Sequence, residues 1–414
     1  MKHLFYFQLF CSLFLITPVK CISTTPFSTA DIFSLAEKQF TKQNELHPIA
    51  NTYPRTLNKN GELVSTKLDN WTEGFFPGCI WYIFDNNKQD EWKKMAIKWT
   101  IPLEKLQFLT SHHDIGFLMY SSYGNAYRLT KEEKYKDILI QSAKSLCTRF
   151  NEKTGCIKSW NYNQSWDGKY KLYYPVIIDN MINLELLYFA SEVTGDNHYA
   201  DIATKHAETT AKNHFRSDYS SYHVVNYDPI TGEVLFRGTC QGFADNSTWA
   251  RGQAWGIYGY TMVYRFTKRK EFLELAKHLA EYWLNNINLP ADGIPYWDFN
   301  AGQNGFVAAQ WAEKNPAPAI QPRDASAAAI TCSALFELST YLEDDKKYYN
   351  AAVRILKSLS SPVYQAEPGT NGNFLLKHST GNLPRGSEVD VPLIYADYYY
   401  LEACHRYKKS KITK

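Results

Sequence analysis

Polar and apolar positions along the chain repeat in a long cycle. A polar or charged turn, then an aromatic residue, then apolar residues at helical spacing occur at 129–135, 193–199, 266–272 and 341–348. These phrases close on Tyr135, Tyr199, Phe272 and Tyr348, which lie 64, 73 and 76 residues apart. Each opens an amphipathic helix. In the third, Phe272, Leu275, Ala276, Leu279, Tyr282 and Trp283 follow the i, i+3, i+4, i+7 rule. Glu274, Lys277, His278 and Glu281 fall outside that stripe. Two further helices of this kind are predicted near Asp31 and Glu91.

Between them lies a second set with few charges and many small or aromatic residues, starting near Trp71, Asp114, Asp179, Ala250, Asp324 and Asp390. Helices apolar on every side are buried on every side. Gly252, Gly256 and Gly259 in one of them each cost about 1 kcal/mol against alanine, so a packing reason is expected. Six amphipathic helices alternating with six buried ones predict an all-α fold, an (α/α)6 barrel with an outer and an inner ring. No linker divides the chain, so one barrel domain is expected over 25–414. Short hairpins are expected in the loops at 217–240 and 292–300.

Residues 1–21 fall outside this pattern. Met1-Lys2-His3, an apolar run from Leu4 to Ile16 and Thr17–Cys21 fit a signal peptide and are too short to span a bilayer. Export to the periplasm or medium is expected, with a lipid anchor at Cys21 disfavoured because Lys20 precedes it. No later stretch is apolar enough to span. Without Lys2 and Lys20, 43 basic residues face 42 acidic ones. This near-neutral balance, without a basic tract, argues against nucleic-acid or membrane-surface partners. The six cysteines beyond the leader (Cys79, Cys147, Cys156, Cys240, Cys332, Cys404) have no paired spacing and read as small buried hydrophobes. A Cys147–Cys156 bridge is not expected. Eleven Trp, 30 Tyr and 23 Phe suit either a large aromatic core or sugar-stacking surfaces.

In such a barrel the inner helices start at one end, so residues distant in sequence converge there. Asp114 and Asp179 each stand at an inner start, where an aspartate serves either as N-cap or as a functional carboxyl. Asp179 lies among Ile177, Ile178, Met181 and Ile182, and apolar burial raises a carboxyl pKa as a general acid requires. Arg251 and Trp255, four apart, offer a fork for a carboxylate and a ring for a sugar, or a structural ion pair beside a core tryptophan. Adjacent His112 and His113 point about 100° apart on a helix and make poor co-ligands. With no metal-ligand spacing, nucleophile elbow, P-loop or dinucleotide motif, neither metal nor cofactor is expected.

These residues resemble glycoside hydrolase family 88, the unsaturated glucuronyl hydrolases. The similarity covers nearly the whole mature chain and is carried by 71–78 (Trp71-Thr72-Glu73-Gly74-Phe75-Phe76-Pro77-Gly78), 113–117, 178–184, Tyr222-His223, Gln241-Gly242 and 249–256. It implies removal of a 4,5-unsaturated uronic acid from glycosaminoglycan fragments of chondroitin, hyaluronan or heparin type, by hydration of the C4=C5 enol ether. It implies that Asp179 is the general acid/base and that Asp114 binds sugar hydroxyls and is essential. Trp71, His113, Trp160, His223, Thr239, Gln241, Arg251 and Trp255 look like pocket residues of that family, with Ser387 a weaker candidate. Phe76 stands where tryptophan is expected, a departure that would alter stacking without touching the chemistry. The alternatives are an unsaturated rhamnogalacturonyl hydrolase, an ordinary inverting (α/α)6 glycosidase with two carboxylates, and a noncatalytic sugar-binding protein.

Overall fold

The computed structural model describes residues 27–342 and 346–412. The segment expected to be a signal peptide, with Cys11 and Cys21, and residues 343–345 of the fourth repeat phrase lie outside the described residues. Along the chain, outer α1 (Thr29–Leu46) precedes inner α2 (Phe75–Asn87), and outer α3 (Asp90–Thr100) precedes inner α4 (Ile115–Met119). A π-helical turn, Tyr120–Gly124, carries α4 into α5 (Asn125–Thr130) to complete the second inner helix. The remaining pairs are α6 (Glu133–Cys147) with α7 (Asn180–Thr194), α8 (Asn197–Asn213) with α9 (Ala250–Thr267), α10 (Lys270–Asn285) with α11 (Ala325–Leu338), and α12 (Lys347–Leu359) with α13 (Ile394–Ile412).

The repeated phrase has a local cause. Inner helices α2, α5, α7 and α9 each stop on a residue in the left-handed region: Lys88, Lys131, Gly195 and Lys268. The backbone N–H of each donates to the carbonyl four residues back, at 2.8–2.9 Å. In three of these turns a threonine (Thr130, Thr194, Thr267) donates its hydroxyl to its own i−4 carbonyl. The same oxygen accepts the amide two residues on. The carbonyls left over at a helix end are thereby satisfied and the chain turns sharply into the next outer helix. Four inner helices thus end in the same kind of turn, and the long connections precede the starts of the inner helices at the opposite end of the barrel.

Inner helices pack around a closed ring: α2 on the π turn, α4 on α7, α7 on α9, α9 on α11, α11 on α13, and α13 on α2. In α9 every residue from Ala250 to Val263 is buried. A Cβ on Gly259 would lie 2.5 Å from the Met181 Cβ of α7, which is the packing reason its glycine required. Helix α10 buries Phe272, Leu273, Ala276, Leu279, Ala280 and Trp283, while Leu275 and Tyr282 flank the stripe half-buried. All six later cysteines are free thiols, five of them buried. No described helix is long and apolar enough to cross a membrane.

Short strands occupy the connections that lead into inner helices. β1 (Tyr53–Leu57) and β2 (Leu63–Thr66) form a hairpin before α2. Between α6 and α7 lie the pairs β3 (Phe150–Asn151) with β4 (Cys156–Ile157) and β5 (Asn163–Gln164) with β6 (Lys171–Leu172). There β7 (Pro175–Ile177) also begins an antiparallel sheet with β8 (Val224–Tyr227) and β9 (Val234–Gly238). The hairpin expected within 217–240 is the β8–β9 pair. The one expected at 292–300 does not form; the segment makes only single bridges, Tyr296 to Arg323 and Trp249 to Asp298. Pro295 lacks the N–H a ladder needs there.

Candidate active site

The three-stranded sheet brings the first two site residues together. Ile177 pairs with Val224, and the Ile178 amide donates to the His223 carbonyl at 3.0 Å. Asp179, leaving β7 to start α7, therefore meets His223, with Nε2 of the imidazole 3.7 Å from its Oδ2. Nδ1 of His223 accepts the backbone amides of Cys240 (3.1 Å) and Gln241 (3.2 Å). Burial holds the ring neutral, well below the usual histidine range, so its one proton sits on Nε2, facing Asp179.

Asp114 reaches the same end of the barrel by a different route. The His113 amide donates to the Ser159 carbonyl, and the Ser159 amide to that of Pro175, tying the loop before α4 to β7. Gly116 lets α4 press against α7, since a Cβ there would lie 2.5 Å from the Asn183 Cα. His113 Nε2 stands 3.3 Å from Asp114 Oδ1, and His112 Nδ1 stands 3.1 Å from Oδ2. Neither Asp114 nor Asp179 caps its helix: no first-turn amide bonds either side chain. Asp324 behaves differently, accepting the amides of Ser326 and Ala327 at the start of α11.

The two carboxyls titrate apart. Burial pushes Asp179 up to about 7; the Arg251 charge and the Trp255 indole N–H oppose the rise, and the nearby Asp114 charge adds to it. Asp114 is also desolvated, but His113 and His112 more than offset that and hold it below the ordinary carboxylate value. His112 is raised in turn, since Asp114 outweighs the effect of its own burial. A neutral carboxylic acid beside an ionised carboxylate is a division of labour suited to acid–base catalysis.

Other residues singled out in the sequence spread around this pair. Trp71 lies half-buried against Tyr395 (4.9 Å between ring centroids) and Phe117 (5.5 Å). Trp160, also half-buried, meets the edge of His223. Thr239 Oγ1 accepts the Gly242 amide at 2.6 Å, and Gln241 Nε2 donates to the Gly381 carbonyl at 3.2 Å. Ser387 is exposed on the loop that Gly381 begins, its amide donating to Asn382.

Two readings are corrected by the geometry. Arg251 is 1% exposed, and its fork is already engaged: Nη1 binds Asp324 (3.0 Å) and the Thr380 carbonyl (2.6 Å), and Nη2 binds the Gly381 carbonyl (2.6 Å). It is the buried ion pair beside a core tryptophan, lying over the Trp249 ring, and it does not present a free clasp. Trp255 is fully buried between Phe117 and Tyr399, with no open face for a sugar. Phe76 packs in the core against Phe40 and Trp99, so its departure from tryptophan concerns packing and not sugar stacking.

The structure adds residues the sequence reading passed over. Asn180 and Asn183, fully buried, face His113, and Ser159 Oγ stands 3.3 Å from its Nδ1. A usable sign was present: two amides in the first turn of a helix otherwise apolar have no solvent to satisfy them.

A ring of inner helix starts, with an acid and a carboxylate among aromatic side chains, defines this barrel as a glycosidase-type hydrolase. No family model matches the chain. It is 44% identical over 385 residues to an unsaturated glucuronyl hydrolase of Formosa agariphila, covering 92% of this chain and 91% of the relative. It is 35% identical over 368 residues to an unsaturated chondroitin disaccharide hydrolase of Streptococcus pyogenes, covering 86% of each. A crystal structure of an unsaturated glucuronyl hydrolase specific for heparin superposes with a TM-score of 0.85 at 44% identity, covering 93% of this chain and 98% of that one. The chain belongs to the unsaturated glucuronyl hydrolases.

Proposed function

We propose that the chain removes the 4,5-unsaturated uronic acid from the non-reducing end of lyase-generated glycosaminoglycan oligosaccharides, with Asp179 as general acid and base. One observation carries the assignment: Asp179, at the start of an inner helix, holds its proton up to about 7 while Asp114 near it stays ionised. Asp179 gives its proton to C4, and the electrons of the C4=C5 bond form the new C–H bond. The cation left at C5 is shared with the ring oxygen. Asp179, now a carboxylate, takes a proton from the water whose oxygen bonds to C5. The hemiketal then opens to a keto acid and the remaining sugar leaves, for a net uptake of one water. One carboxyl performs both transfers, so the spacing rule for paired glycosidase carboxylates does not apply.

Asp114 is assigned to the sugar hydroxyls, and His113, His223, Thr239 and Gln241 to the polar wall. Trp71 and Trp160 supply aromatic faces, and Ser387 sits at the rim. Arg251 and Trp255 act from behind, on the charge of Asp179. The likeness to chondroitin- and heparin-named relatives supports a glycosaminoglycan substrate. An exported form made of one catalytic barrel remains part of the proposal, checked by the N-terminal sequence of the extracellular protein.

The test uses unsaturated disaccharides from chondroitin, hyaluronan and heparin beside a saturated glucuronide of the same aglycone. Only the unsaturated sugars should turn over, with falling near-ultraviolet absorbance, and a sulfur-linked unsaturated glycoside should lose its double bond as well. Comparable rates on the saturated glucuronide would reject the proposal in favour of an ordinary inverting glycosidase.

A further inference from the structure

His113 is fully buried, and what surrounds it is sorted by hydrogen-bonding type. Asn183 Oδ1 accepts the Phe117 amide at 2.9 Å, which turns its Nδ2 toward His113 Nδ1 at 3.4 Å. Ser159 Oγ accepts the Ile177 amide at 3.0 Å, leaving its own proton for the same Nδ1 at 3.3 Å. Nδ1 therefore meets two donors. On the other side, Asn180 gives its Nδ2 to the Ile157 carbonyl at 2.7 Å and turns its oxygen to the imidazole. Asp114 Oδ1 lies 3.3 Å from Nε2. That nitrogen has only acceptors on its side and closes a hydrogen bond to neither.

We propose that Asn183 and Ser159 are positioning residues that lock His113 in the Nε2–H tautomer, so that a neutral imidazole presents its N–H, and not a lone pair, to the Asp114 carboxylate and helps keep it ionised. Neither residue touches the reacting atoms; each acts through the ring. The inference deepens the function proposed above, and only its kinetic consequence rests on that function. The remaining charged and titratable groups around the ring are His112 on its own loop, Arg149 just before β3, His206 on α8 and His223 before β8. Burial lowers His113 to about 4, in keeping with a neutral ring. A ring that carries one proton and is asked for it by a carboxylate must take it from a side with no competing acceptor. Asn183 and Ser159 remove the competitor.

The experiment is ring-nitrogen NMR of the full-length protein, with the His113 resonances identified by their loss in His113→Gln. The wild type should show an unprotonated Nδ1 and a protonated Nε2. Asn183→Asp keeps the acceptor that Phe117 needs but turns a donor at Nδ1 into an acceptor. It should put a proton on Nδ1 and lower kcat about tenfold or more with a cooperative melt. Ser159→Ala, which removes only a donor, should loosen the preference and lower kcat less. A wild-type ring protonated at Nδ1 overturns the proposal without any variant, whether or not the enzyme acts on the sugar proposed. So does a folded Asn183→Asp whose ring pattern is unchanged or whose kcat stays within twofold. Absence of turnover on every unsaturated sugar, with the ring pattern as expected, would overturn the proposed reaction and leave the tautomer lock standing.

Discussion

Asp114 and Asp179 occupy the same position in neighbouring repeats, one residue before an inner helix, and each faces the Nε2–H of a neutral, buried histidine. Their surroundings nevertheless drive them apart. Asp114 has His113 at 3.3 Å and a second imidazole, His112, at 3.1 Å. Asp179 has His223 at 3.7 Å, and its Oδ2 has no hydrogen-bond partner among the described residues. The electrostatics of two adjacent imidazoles hold the first ionised; burial, only partly opposed by Arg251, leaves the second protonated up to about 7. The lesson is that repeat position sets where a carboxyl stands, while its local electrostatics set what it does.

The largest effect that would break this comparison is on Asp179 itself. Asp179→Asn removes the proton at nearly constant volume, and kcat should fall roughly 10²–10⁴-fold with a cooperative melt retained. Activity above about a tenth of wild type would remove Asp179 from the role.

Asp324 supplies the control, an aspartate at an inner start that serves the fold. It caps α11 and pairs with fully buried Arg251. Asp324→Asn should cost about 3–5 kcal/mol of unfolding free energy, because Arg251 keeps its charge and loses its partner. Denaturant unfolding measures this. A loss under about 1 kcal/mol would mean the carbonyls of Thr380 and Gly381 are enough for the guanidinium.

The double ring was legible because its repeat is a chemical one: the threonine and left-handed residue that end an inner helix recur with the aromatic that opens the outer one. The aspartates were legible because they interrupt apolar runs at helix starts. Arg251 and Trp255 were misplaced because four-residue spacing puts both on one face without saying which way that face looks; it looks into the ring, toward Asp324 and Tyr399. Asn183 and Ser159 were missed because their roles depend on contacts 70 and 46 residues away, which spacing does not encode.

Between the extremes lies the response to pH. Activity needs Asp179 protonated, so kcat should decline as pH rises through about 7. Stability has the same sign. A carboxyl raised in the folded state stabilises fully below its unfolded value near 3.8, and that contribution is lost as pH rises through about 7. Asp179→Asn cannot ionise, so its melting temperature should gain on the wild type, by a few degrees, between pH 5 and pH 8. An equal difference at both pH values would mean the wild-type carboxyl does not titrate in that range.

The smallest effect tests whether the two carboxyls sense each other. The Asp114 charge raises Asp179, but it ranks below both burial and the opposing charge of Arg251. Asp114→Asn deletes that charge and keeps the side-chain volume, so ionising Asp179 becomes easier. Its midpoint should move down from about 7 by a fraction of a unit to about one unit, where one unit corresponds to about 1.4 kcal/mol. Because Asp114 is itself assigned to the sugar, turnover is a poor readout, and the titration should be followed by carboxyl carbon NMR without substrate. A midpoint that stays fixed would show the carboxyls to be independent, each set by its own histidines and burial. One that moves up would show that the asparagine takes donors away from Asp179, and the split would then be owed to shared hydrogen bonds and not to charge.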